Sequence, residues 1–137
     1  MIKRALLLTI ILHSIIFIGI PEAHGYVVMV MFDFISIPAI IRNGIEFSKG
    51  SFLGNSLMLI GLISLIGKII LIRKLFSKKI AEKKVAIYIG LVLLFVAFIV
   101  IIIGVLQIDT FLVAVTFGSG IPFLMYAGRV VYLLQKK

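Results

Sequence analysis

The sequence predicts an all-α membrane protein: a four-transmembrane-helix bundle with an apolar external or re-entrant element between its first and second spans. Three observations carry that expectation. Of 137 residues, 63% are hydrophobic and only 14% charged, whereas soluble domains run at roughly half apolar and one-quarter charged. Charge-poor runs recur at lengths near the ~20 residues that a hydrocarbon core requires. The cations are crowded, with Arg73, Lys74, Lys78, Lys79, Lys83 and Lys84 in one short segment between two of those runs, the pattern of spans joined by a basic loop.

The first span is placed at about 2–20. Lys3 and Arg4 precede an apolar run that ends at Pro21, which fits a secretory signal as well as a first span. The stretch Ile20-Pro21-Glu22-Ala23-His24 lacks a convincing pair of small residues at cleavage spacing, so the run is expected to stay as a helix. Ala5, Thr9 and His13 repeat every four residues and stack on one face of it. His13 is then an interhelical hydrogen-bonding residue or, as the sharper alternative, a proton carrier.

The segment 25–41 is apolar apart from Asp33 and Ser36, and Pro38 interrupts it. Counted as a fifth span, it would move either the six-cation loop or Lys3, Arg4, Arg42 and Lys49 to the outer side, and both choices fit the distribution of cations worse. It is therefore expected to pack on or dip into the bundle, helical to about Ser36 and broken at Pro38; the run Tyr26 to Phe34 also permits a strand. Asp33 has no partner among its neighbours. Arg42, Lys49 and His24 are its expected partners, which makes it a pin for this element; a carboxylate lining a cation or proton path is the alternative. Glu22, His24, Arg42, Glu46, Lys49 and Asp109 form the expected outer polar set.

The remaining spans are placed at 52–75, 85–106 and 111–134. In the second, Gly54, Leu57, Gly61, Ser64 and Lys68 follow a three-four spacing, a small and weakly polar stripe. In the third, Ala86, Gly90, Ala97 and Gly104 fall near one face; in the fourth, Ala114 and Gly118 lie one turn apart. Small residues let membrane helices approach closely, so these are the expected seams. Gln107 to Thr110 makes a turn in which Asp109 or Thr110 caps the last helix. Pro122 should bend that helix.

An ionisable side chain at mid-membrane costs at least ~2.5–3.5 kcal/mol. Lys68 and Arg129 lie close enough to Arg73 and Lys136 to reach the inner surface by snorkelling, with a role in a path as the alternative. The loop 73–84 would attract anionic lipid. Both termini are then cytoplasmic, in the plasma (inner) membrane.

A net charge of +9 could suggest nucleic acid, but these cations flank apolar runs and form no basic face on a soluble domain. There is no cysteine, and no His or carboxylate spacing suggests a metal or cofactor. Phe117-Gly118-Ser119-Gly120 lacks the first glycine of a serine elbow, so no catalytic residue is assigned. The expected function is a non-catalytic binding, accessory or immunity-like partner of another membrane component, or a homo-oligomer. The alternative is an oligomeric ion channel or small transporter.

Overall fold

In a computed structural model the described residues are 1–20, 25–43, 52–79, 84–107 and 109–136. They form five helices and one two-stranded hairpin: α1 (Ile2–Ser14), β1 (Phe17–Ile20), β2 (Gly25–Val28), α2 (Met29–Asn43), α3 (Phe52–Leu75), α4 (Lys84–Leu106) and α5 (Thr110–Gln135). Among these residues two helices, α4 and α5, are long and apolar enough to cross a membrane.

The first helix is shorter than expected. It ends at Ser14, and the chain continues as β1 where a helix to Ile20 was anticipated. The residues that leave the helix, Ile15 to Ile20, are mostly β-branched or aromatic and include Gly19, a composition that suits a strand better than a helix. Ile20 also precedes Pro21, which disfavours helical backbone at that position. Within α1, Thr9 and Ser14 donate to the carbonyls of Ala5 (2.8 Å) and Ile10 (2.9 Å), so neither hydroxyl needs water.

The segment that begins at Gly25 runs back along β1. β2 pairs antiparallel with β1 in the register Phe17↔Val28, Ile18↔Val27, Gly19↔Tyr26, Ile20↔Gly25, and the Met29 amide donates to the Ile16 carbonyl. From Met29 the chain is helical to Asn43 with Pro38 inside the helix, so the expected break at Pro38 does not occur. The element folds back beside β1 and packs chiefly on α3.

At the core stands α4, with Ile87, Gly90, Leu94, Ala97, Phe98, Ile101 and Gly104 buried. Both α3 and α5 pack against it, and α1 packs chiefly on α5. Phe98 meets Phe123 edge-on (5.9 Å between centroids) and stacks on Phe117 (6.5 Å). Close approach of α3 and α4 depends on Gly67 and Gly90: a Cβ on Gly67 would sit 3.1 Å from the Gly90 carbonyl oxygen. The α4–α5 turn is closed by Asp109, the N-cap of α5, whose carboxylate accepts from the Phe111 amide (3.0 Å).

Candidate functional site

The polar side chains that the apolar helices carry inward define the site. Among the described residues Thr9, His13, Asp33, Ser36, Ser64, Lys68 and Thr116 are buried. They come from α1, α2, α3 and α5. Its charged centre is an ion pair between the Lys68 ammonium and the Asp33 carboxylate, bonded through Oδ2, with Asp33 1% and Lys68 5% exposed. Lys68 sits on the face of α3 that also buries Gly61 and Ser64, because residues three and four apart share a helical face. Asp33 sits on the first turns of α2, where Ser36 donates back to its carbonyl (2.9 Å).

This arrangement corrects two expectations. Lys68 does not snorkel away from the core; it turns into it. Asp33 pairs with Lys68, 35 residues along the chain, and not with Arg42, which is exposed. His24 and Lys49, the other anticipated partners, lie outside the described residues, as do Glu22, Glu46 and Lys83.

His13 supplies a second tie. Its Nε2–H donates to the Leu94 carbonyl of α4 (3.2 Å), and its ring meets Phe123 of α5 edge-on at 4.8 Å. One side chain of α1 is thus joined to both long apolar helices. Among the described residues, the buried His13 Nδ1 and Thr116 Oγ1 lack a hydrogen-bond partner. Near the mouth of the hairpin, Ser119 accepts from the Phe17 amide (3.1 Å) and donates to the Thr116 carbonyl (3.0 Å).

The other sequence-derived residues fall elsewhere. Arg129 and Asp109 are exposed, as are Arg73, Lys78 and Lys79, while Lys74 and Lys84 are half-buried. Gly61, Gly90, Ala97 and Gly104 are buried and Ala86 is half-buried. Ala114 and Gly118 are exposed, and a Cβ on Gly118 would meet nothing within 4 Å. The anticipated seam on α5 is therefore displaced to Gly120, which is packed beneath Phe98. Gly54 lies in the first turn of α3. Sequence reasoning missed Gly67, although it sits three residues after Ser64 on the stripe already identified. Among the described residues no group of three or more His, Asp or Glu comes together to hold a metal.

The chain matches no protein-family model, no curated protein and no solved structure.

Proposed function

We propose that this chain is an integral membrane protein of the plasma (inner) membrane. In this proposal it has four crossings and cytoplasmic termini, and it acts as a non-catalytic binding, accessory or immunity-like partner of another membrane component or of its own copies. The outer face of α4 supports the bilayer setting: Val85, Ile89, Val92, Phe95, Val96, Ile99 and Ile103 are all exposed, a surface suited to lipid and not to water. The first crossing would be completed by the hairpin. Thirteen helical residues rise about 20 Å, and the four residues of β1 add about 13 Å, enough together for a core of about 30 Å. The segment 25–43 then re-enters the bundle beside α3, its backbone paired within β1–β2 and within α2 as lipid depth requires.

One observation carries the accessory reading above the others. The two most membrane-averse groups, Asp33 and Lys68, are spent on each other, which ties α2 to α3 and suits a structural pin better than a site that must bind and release an ion. A second reading, an oligomeric channel or small transporter, draws support from the unpartnered buried atoms His13 Nδ1 and Thr116 Oγ1 on α1 and α5, since such groups call for water. Reconstituted liposomes separate the two. On the accessory reading, the wild-type protein and Asp33→Asn both pass no more ions or protons than empty vesicles. Flux that exists and depends on Asp33 would replace it with the transport reading.

A further inference from the structure

The basic end of the α3–α4 pair forms an open groove of about 480 Å³ lined by Ile70, Arg73, Lys74, Ser77, Ala86 and Ile89. The first four follow a three-one-three spacing, so they share the face of α3 and of the turn that follows it. Ala86 and Ile89 form the opposite wall from α4. The groove is graded. Ile70 and Ile89 lie deeper along their helices, while Arg73, Lys74 and Ser77 lie at the end nearer the loop, so an apolar floor leads to a cationic mouth. Ala86 keeps the wall between them low. Two apolar side chains at the loop end of the two helices, Phe76 and Val85, are 80% and 72% exposed.

We propose that this groove holds one anionic phospholipid. Its phosphodiester would lie between Arg73 and Lys74 with the Ser77 hydroxyl donating to it, and one acyl chain would run over Ile70 and Ile89. Arginine suits the planar, two-point recognition of phosphate oxygens, and lysine adds a point charge. Charge complementarity selects an anionic headgroup, and the apolar floor selects a lipid over free phosphate. Lys78, outside the lining, adds only diffuse attraction to the leaflet.

The inference rests on the bilayer reading, and the test keeps the two apart. The protein is reconstituted in nanodiscs of phosphatidylcholine with phosphatidylglycerol, released, and examined by native mass spectrometry for retained lipid. One phosphatidylglycerol per chain is expected, retained in preference to phosphatidylcholine and not displaced by inorganic phosphate. Arg73→Gln should cut retention by about tenfold or more, the factor carried by hydrogen bonds to a charged group. Ala86→Phe, which fills the groove without changing charge, should do the same, whereas Lys78→Gln should leave retention within about fivefold, the ~1 kcal/mol that one cation adds by diffuse attraction. Equal retention of the two lipids, displacement by phosphate, or an equal loss with Lys78→Gln would each overturn the proposal while leaving the bilayer reading intact. Release of the chain from membranes by alkaline carbonate would overturn the bilayer reading itself.

Discussion

Removing one partner of the Asp33–Lys68 pair leaves a buried charge uncompensated, and the cost follows from that and not from the strength of the pair. Burying an unpaired ion typically costs about 3–5 kcal/mol of stability, while replacing both partners by neutral groups of similar volume is close to neutral. Asp33→Asn should therefore lower the thermal midpoint in detergent sharply, and the double variant Asp33→Asn with Lys68→Met should recover most of the loss. A double variant no more stable than the worse single one would show that the pair is not the unit holding α2 to α3. The glycines make a second contrast on this scale. A Cβ on Gly120 would fall 2.2 Å from Cε2 of Phe98, and Phe98 is itself buried against Phe123, so Gly120→Ala should cost about 1–3 kcal/mol through overpacking. Gly118→Ala meets nothing and should gain up to about 1 kcal/mol from helix propensity. Thermal unfolding of the two variants in one detergent checks the sign of each.

Helix and hairpin ends depend on a few polar side chains. Asp109 caps α5 through the Phe111 amide, and Asp109→Ala should cost about 1 kcal/mol and fray the first turn, seen as faster amide exchange at Phe111. Ser119 holds the entry of β1 by accepting from the Phe17 amide; Ser119→Ala should cost about 1 kcal/mol and speed exchange at Phe17 while leaving α4 amides unchanged. Exchange at Phe17 that does not move would mean that pairing with β2 holds the strand unaided. Pro38 shows where local rules yield. The sequence places a break at Pro38, yet α2 runs through it, because a proline interior to a helix can be borne as a kink when the flanking turns are packed. Here the turn before it carries Asp33, tied to Lys68, and Ser36, bonded back to the Asp33 carbonyl.

Across the whole molecule, the proposed orientation puts residues 73–84 and both termini on the inner side and the α4–α5 turn outside. The chain has no cysteine, so single substitutions report accessibility without background. Lys78→Cys and Lys136→Cys should resist a membrane-impermeant maleimide applied to intact cells, and Gln107→Cys should react; the opposite pattern would invert the topology and remove the inner leaflet from the groove at Arg73 and Lys74.

The helical class, the apolar runs of α4 and α5, a cap at Asp109 or Thr110 and the crowding of cations near residue 73 were determined by the sequence alone. Each reflects hydropathy, propensity or charge within a window of a few turns, and those properties travel with the residues wherever the chain goes. Only the tertiary structure decided that Asp33 meets Lys68, that His13 reaches Leu94 and Phe123, that Gly67 and Gly120 are the tight contacts, and that Gly118 faces outward. Such pairings depend on the rotation of each helix about its axis and on which neighbour it packs against. A run that is apolar on every side, as α4 nearly is, carries almost no amphipathic signal to set that rotation. The short hairpin lies between these cases: its β-branched residues and Pro21 were visible, but the reversal that carries Asp33 into the bundle needed α3 and α5 to pack against.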